Sequence, residues 1–413
     1  MTRVLVVDDS RFMRTVIGNA LTEAGYDVET AENGSEGVKL ATTFEPDVVT
    51  MDVEMPEMDG IDAVERIMAR NPTVILMLSA HTERGTEATL DALERGAVDF
   101  IKKPDGSGSR NIAHLVDEVV ETVDDLAEAD VSSVALAHAA ATAYATRTDQ
   151  PENAGQATMS TAGAEAGAGN AVAGGSSDAP LARDRGTSEP DTTPGIAPAV
   201  EFDEHATPVT VDGNCADAPT IILGASTGGP KIVEQLFERL PADLEAKVLV
   251  VQHMPPEFTT RLATRLDSLS AYDVSEATDR QRLRPGEAAV APGNFHLEVA
   301  SNVGDALRLK LDDDDRLHGV RPAIDVTMIS AAERVSDALC GVVLTGMGRD
   351  GAAGIEAIKA AGGQTIAQDE ETSPVFGIPC QAIETGCVDT VAPANGIVDA
   401  IVDAFRTDGE NDD

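Results

Sequence analysis

Two sets of residues in this chain have types that could do chemistry, and they lie far apart: Asp8, Asp9 and Asp52 near the front, and Ser226, His253 and Asp350 downstream. Three carboxylates brought together repel one another, and a divalent hard cation neutralises such a cluster. Oxygen donors with room for water suit Mg²⁺. A carboxylate beside that ion can accept a phosphoryl group, because the ion offsets charge building up on the transferring oxygens. Ser226 sits in Gly224-Ala225-Ser226-Thr227-Gly228-Gly229-Pro230, between an apolar run and an amphipathic stretch. Strand, tight glycine turn and helix in that order present a serine hydroxyl at a helix N-terminus, the setting of a nucleophile. The same glycines could cradle a phosphate, and the serine could be only an N-cap. Against a nucleotide site, the spacing is not G-x-G-x-x-G and no Walker lysine-serine pair follows.

A nucleophilic serine needs a base and an orienting acid. The run KVLVV leads into Gln252-His253-Met254, and CGVVL leads into Thr345-Gly346-Met347-Gly348-Arg349-Asp350-Gly351, which predicts an exposed Asp350 in its loop. Three strand-end loops converging on one site suit a triad. Its chain order, Ser226, His253, Asp350, differs from the serine, acid, histidine order of the usual α/β-hydrolase. His296 alternates within a strand and reads as structural. His81, His114 and His318 lack a motif and read as surface residues, and His138 and His205 fall in a solvated tract.

These residues need strands to position them. Apolar runs at Val4 to Val7, Val28 to Thr30, Val48 to Met51, Val74 to Leu78 and Val98 to Ile101 alternate with helix-like segments. Five strands alternating with five helices predict a doubly wound parallel sheet over residues 1–125, with ligands at the carboxyl ends of the strands. Ser79 ends the fourth strand and Lys103 follows the fifth, so a hydroxyl and an ammonium join Asp8, Asp9 and Asp52 at one mouth. Residues 126–217 read as a flexible acidic Ala/Gly/Ser-rich linker with too few bulky side chains to offset ordering entropy. VSSVALAHAAATAYATR could extend the preceding helix, alanine being the best helix former. Residues 218–405 form a second α/β unit with a parallel sheet, and 406–413 an acidic tail. A tether this long lowers the effective concentration of one unit for the other and weakens control by direct docking.

Composition narrows the function classes. The net charge of −42, from 72 acidic against 30 basic residues, repels duplex DNA and anionic membranes, and an aromatic content of 3% without Trp argues against base stacking. An acidic excess spread through both folded units needs salt to screen it, which fits a salt-loving source. The first apolar run is too short for a secretory or spanning segment, and no segment reaches about 18 consecutive apolar residues. Cys215, Cys340, Cys380 and Cys387 show no C-x-x-C pair, which fits a reducing cytoplasm and argues against structural zinc.

The stretches VLVVDDS, MDVEMPEMDG, LSA and DFIKKP resemble the receiver domain of two-component response regulators over residues 1–125. The resemblance implies that Asp52 is the phosphoacceptor and that Asp8 and Asp9 hold Mg²⁺ with it. It further implies that Glu54 adds a backbone carbonyl to the metal, that Ser79 and Lys103 contact the phosphoryl group, and that Phe100 is the aromatic that repacks on switching. Downstream, GASTGGP, VVQHMPPEFT, APGNFHLEV, RPAIDV, LTGMGRDGA and PVFGIP are similar to the catalytic domain of chemotaxis protein-glutamate methylesterases of the CheB type. That resemblance implies Ser226 as nucleophile, His253 as general base and acid, and Asp350 as its orienting carboxylate. Met347 would supply a backbone oxyanion donor, and Thr227 would help hold His253. It implies no cofactor for the esterase, methyl-accepting chemotaxis receptors as substrate, and a chemotaxis histidine kinase as phosphodonor. The expected activity is hydrolysis of glutamate methyl esters and deamidation of receptor glutamines. The alternatives are a hydrolase for another ester or thioester, or an output unit that only binds a partner.

Overall fold

A computed structural model describes residues 1–79, 88–89, 91–93, 95–103, 109–127, 209–211 and 215–407. The predicted linker and acidic tail lie largely outside the described residues, as does most of the helix expected between 79 and 98. His81, His138 and His205 are likewise outside them.

The first unit runs β1 (Arg3–Val7), α1 (Arg11–Ala24), β2 (Asp27–Ala31), α2 (Gly34–Phe44), β3 (Val48–Asp52), α3 (Gly60–Arg70), β4 (Val74–Ser79), β5 (Asp99–Lys102) and α4 (Ser109–Ala127). Its strands form a parallel sheet in the order β2-β1-β3-β4-β5. Residues of β3 and β4 are buried throughout, which is why they read as unbroken apolar runs: helices cover both faces of the sheet. Local chemistry fixes the helix ends. The Ser10 side chain accepts from the Met13 N–H at the start of α1, and Asp59 accepts from Asp62 at the start of α3.

The second unit has a seven-stranded parallel sheet ordered β15-β14-β13-β6-β7-β10-β8. Its central strands are β6 (Thr220–Ala225), β7 (Lys247–Gln252) and β13 (Leu339–Val343). Beside them stand β8 (Asp273–Glu276), β10 (Glu287–Val290), β14 (Gln364–Gln368) and β15 (Thr390–Ala392). Helices α5 (Gly229–Arg239), α6 (Pro256–Leu269) and α10 (Ile397–Ala404) pack on one face. Helices α7 (Ile324–Arg334), α8 (Ala352–Ala360) and α9 (Gly377–Glu384) pack on the other. A small antiparallel sheet of β9 (Arg282–Leu283), β11 (His296–Val303) and β12 (Ala306–Asp312) joins this second face, an addition to the parallel sheet expected from sequence.

Both sheets place their sites by the same rule. In the first, β1 neighbours β2 on one side and β3 on the other, so the loops after β1 and β3 leave a crevice between them. In the second, the crevice lies between the loops after β6 and β13. Crevices at such switch points are where open α/β sheets bind ligands. Asp8, Asp9 and Asp52 line the first, and Ser226, Met347 and Asp350 line the second.

Candidate active site and its regulatory face

At the first crevice, ligand atoms of Asp8, Asp9 and Asp52 lie within 4.8 Å of one another. Asp8 and Asp52 are buried and Asp9 is exposed. Lys103 Nζ stands 2.8 Å from Asp8 Oδ2 and 2.7 Å from Asp52 Oδ1, so one cation spans two of the three carboxylates. Burial pushes the Asp52 carboxyl up to about 6; Lys103 works against that shift, and the charges of Asp8 and Asp9 add to it. Burial opposes the Lys103 ammonium, yet Asp52 and Asp8 outweigh it and hold its pKa above the usual lysine value. Three carboxylates against one ammonium leave negative charge to be offset, and the donors are all oxygen, so the residues fit a hard divalent cation. An open cleft beside the cluster is lined by Asp9, Glu54 and Asp59, with space for water ligands. Ser79 is buried and its hydroxyl accepts from Thr89 at 2.7 Å.

At the second crevice, β6 and β7 pair in register, with Ala225 opposite Gln252, so the next residues, Ser226 and His253, leave neighbouring strand ends together. The His253 backbone N–H donates to Ala225 O at 3.0 Å. His253 Nε2 lies 2.8 Å from Asp350 Oδ2. Because Nε2–H is engaged by the carboxylate, Nδ1 carries the lone pair available to a hydroxyl. Asp350 is buried, not exposed in its loop as the sequence suggested. Burial alone would raise its pKa, but the His253 hydrogen bond and charge, with the N–H groups of Asp325 and Ile324, hold it below the ordinary carboxylate range. It therefore stays anionic beside the imidazole.

Glycine is required at two positions around Ser226. A Cβ on Gly346 would lie 2.5 Å from Ser226 Cβ, and the residue has φ +155°; a Cβ on Gly228, at φ +75°, would strike Pro374 at 2.8 Å. The loop after β13 can thus press against the serine, and the Met347 backbone N–H has no hydrogen-bond partner among the described residues. A free N–H at that place can serve an oxyanion.

Several residues in this frame carry work that the sequence did not assign. Gln252 is buried, and its amide donates to Ser226 O at 2.8 Å, fastening the serine turn to the strand that carries His253. The Thr345 hydroxyl donates to Thr227 O at 2.9 Å, joining the serine and oxyanion loops. Gln252 and Thr345 lie inside the stretches VVQHMPPEFT and LTGMGRDGA, yet nothing in their spacing distinguishes a brace from a core polar group. His296 accepts the Ala323 N–H at Nδ1 and meets Asp315 O at Nε2, 3.2 and 3.1 Å, which agrees with a structural role. His114 is exposed. His318 is near the surface as expected, but its ring reaches the buried Asp325 at 2.9 Å.

The two sites face each other through β5. Phe100 stacks on Phe258, ring centroids 4.1 Å apart at 26°, and Lys102 pairs with Glu257 at 3.1 Å. Val375 and Met347 of the second unit pack against the core of the first. Thr227 of the second unit is buried and acts on the Asp99 carboxyl of the first, lowering its pKa. Burial raises the Asp99 carboxyl to about 6, against the effects of Thr227, the Phe100 N–H and the His253 charge. Phe100, read from sequence as a switch aromatic, is an interface residue in this arrangement. The long tether does not prevent docking: the first unit covers the rim of the site at Thr227, Met347 and Phe258.

Fold and site together define a receiver domain joined to an α/β domain in which a serine turn, a histidine and a buried aspartate gather at one crevice. Residues 4–112 match the response regulator receiver domain and residues 221–401 the CheB methylesterase family. The chain is 45% identical over 407 residues to a protein-glutamate methylesterase/protein-glutamine glutaminase of Halobacterium salinarum, covering 98% of this chain and 99% of that protein. It is 38% identical over 407 residues to one from Pyrococcus horikoshii, covering 98% and 94%. The crystal structure of the Thermotoga maritima CheB methylesterase catalytic domain is 42% identical, with 45% of this chain and 98% of that one covered at a TM-score of 0.44. This chain belongs to the protein-glutamate methylesterase/protein-glutamine glutaminase family.

Proposed function

We propose that this protein is a cytoplasmic chemotaxis methylesterase that removes methyl groups from glutamate side chains of methyl-accepting receptors and deamidates receptor glutamines. It has a receiver of residues 1–125 tethered through 126–217 to an esterase of 218–405. The observation that carries the reading is the Asp350–His253 pair beside Ser226 at the β6/β13 crevice. Ser226 Oγ attacks the side-chain carbonyl while His253 Nδ1 takes its proton. Asp350 stabilises the resulting imidazolium, and the oxyanion rests on backbone donors including Met347 N–H. Collapse of the tetrahedral adduct breaks the C–O or C–N bond, and His253 returns the proton to methanol or ammonia. Water, activated by the same imidazole, then cleaves the acyl-enzyme. Methanol release from methylated receptor membranes at high salt tests this. Turnover of small alkyl esters with no methanol from the receptor would assign a different ester substrate.

Control comes from the receiver. Asp8, Asp9 and Asp52, with the Glu54 carbonyl, would hold Mg²⁺, which when bound offsets charge on the phosphoryl oxygens; Ser79 and Lys103 would bind those oxygens once Asp52 carries them. A chemotaxis histidine kinase is the donor the family implies. Phosphorylation draws Lys103 and Ser79 onto the new oxyanions; Lys103 directly follows β5, which carries the interface contacts, and Ser79 ends the strand paired with it, so the docked arrangement loses population.

Asp99 gives this docking a pH dependence. Burial holds its carboxyl at about 6 in the docked arrangement, and separation of the units, by returning it to water, lowers that value, so the docked arrangement holds the extra proton. Docking therefore weakens as the pH rises toward about 6 and is level above it. Small-angle scattering should show expansion of unphosphorylated protein across that window, and Asp99→Asn should abolish the trend. Phe100→Ala, which removes the ring stacked on Phe258, should raise basal Ser226 labelling by a fluorophosphonate at neutral pH. Unchanged labelling would show that β5 does not restrict the site.

A further inference from the structure

Behind the catalytic aspartate lies a second carboxylate–imidazole pair. Ligand atoms of His318, Asp325 and Asp350 fall within 4.8 Å of one another, which raises the question of a metal. The donors answer it. Asp350 Oδ1 accepts from Asp325 N at 2.9 Å, and Oδ2 accepts from Ile324 N at 2.7 Å and faces His253. Asp325 Oδ1 accepts from Gly351 N at 2.9 Å and Gly354 N at 2.7 Å, and Oδ2 meets His318 Nε2 at 2.9 Å. Every carboxylate oxygen is already occupied by nitrogen donors, so the cluster is a hydrogen-bonded relay and not a cation cage.

The pattern is a reciprocal exchange between two helices. Neither α7, with Ala323 at its N-cap, nor α8, with Gly351, is capped by its own cap side chain. Asp350, just before α8, instead sits on the N-terminus of α7. Asp325, in the first turn of α7, sits on the N-terminus of α8. Each anion occupies the favourable end of the other helix dipole through charge-assisted bonds. The loop that aims Asp350 at His253 is thereby locked from behind, and His318 closes the far side of Asp325.

We infer that Asp325, held by His318, is a positioning residue that fixes Asp350 for its action on His253. This rests on the reading of Ser226, His253 and Asp350 as nucleophile, base and orienting acid. Misplacing a catalytic group by about 1 Å costs on the order of 10²-fold in rate. The test is a set of full-length variants, Asp325→Asn, His318→Gln, Asp350→Asn and each of the first two combined with Asp350→Asn, assayed by methanol release over long incubations and by thermal melting. Asparagine keeps the volume and one acceptor at 325 but loses the anion. Asp325→Asn should lower kcat about 10- to 100-fold with KM unchanged. His318→Gln should lower it less, and neither change should lower it further once Asp350 is asparagine. His318 lies near the surface, so its variant reports even where Asp325→Asn fails to fold. Normal kcat in the folded variants, or losses that multiply in the Asp350→Asn background, would overturn the proposal. Full activity of Asp350→Asn would remove the triad and this proposal together, whereas loss in Asp350→Asn beside a normal Asp325→Asn would remove this proposal alone.

Discussion

Ser226→Ala is expected to abolish methanol release and fluorophosphonate labelling while leaving Asp52 open to phosphorylation. The hydroxyl is the nucleophile at the mouth formed by the loops after β6, β7 and β13, and alanine leaves His253 with no proton to take. In serine hydrolases, loss of the nucleophile costs on the order of 10⁶-fold in kcat, what remains coming from binding and the oxyanion donors. Fold effects should be small. Ser226 is partly exposed, and the bonds that hold its turn run through its backbone, from its N–H to Thr345 O at 3.0 Å and from the Gln252 amide to its carbonyl. Methanol release near the wild-type rate would take Ser226 out of the mechanism.

Asp350→Asn should come next in size, and its cause is the tautomer of His253. With aspartate present, Nε2–H points at Oδ2 and the lone pair of Nδ1 is left for Ser226. Asparagine has one oxygen for two N–H groups; placed where Oδ1 stands it still accepts from Asp325 N–H, which puts its NH₂ at the Oδ2 place, against Ile324 N–H and toward His253. That group donates to Nε2 and drives the ring proton to Nδ1, where it opposes proton transfer from the serine. The corresponding exchange in a serine protease triad costs about 10⁴-fold in kcat with geometry intact. A structure of the variant with His253 unmoved, together with slow acylation in stopped-flow labelling, would support the tautomer argument. An unchanged acylation rate would exclude Asp350 from it.

The two sheets were legible because their central strands are buried on both faces and so read as unbroken apolar runs, RVLVV, TIILG and KVLVV among them. The site residues were legible because Asp8, Asp52, Ser226 and His253 stand at or just after such runs, and Asp350 in the glycine-rich loop that follows another. Less visible was anything made by pairing across the fold. Asp325 stands in RPAIDV as an ordinary acidic residue in a first helical turn, and only the packing of α7 against α8 shows which helix end it serves. Asp350 read as exposed because glycines surround it, whereas the same glycines let two helix termini close over it. Asp99 and Phe100 read only as parts of the fifth strand, but β5 is the edge of its sheet, and its side chains reach the other unit. The long stretch between the units pointed away from docking, since length alone sets effective concentration; an apolar stack and an ion pair offset that cost.

Control of Ser226 by Asp52 is the central claim, and one comparison tests it most directly. Methanol release from methylated receptor membranes is measured at high salt with Mg²⁺, with and without a small-molecule phosphodonor, for wild type and Asp52→Asn. Phosphodonor is expected to accelerate the wild-type enzyme and to leave Asp52→Asn at its basal rate, with basal rates of the two proteins alike. Equal stimulation of both proteins, or none in the wild type despite phosphorylation of Asp52, would contradict it.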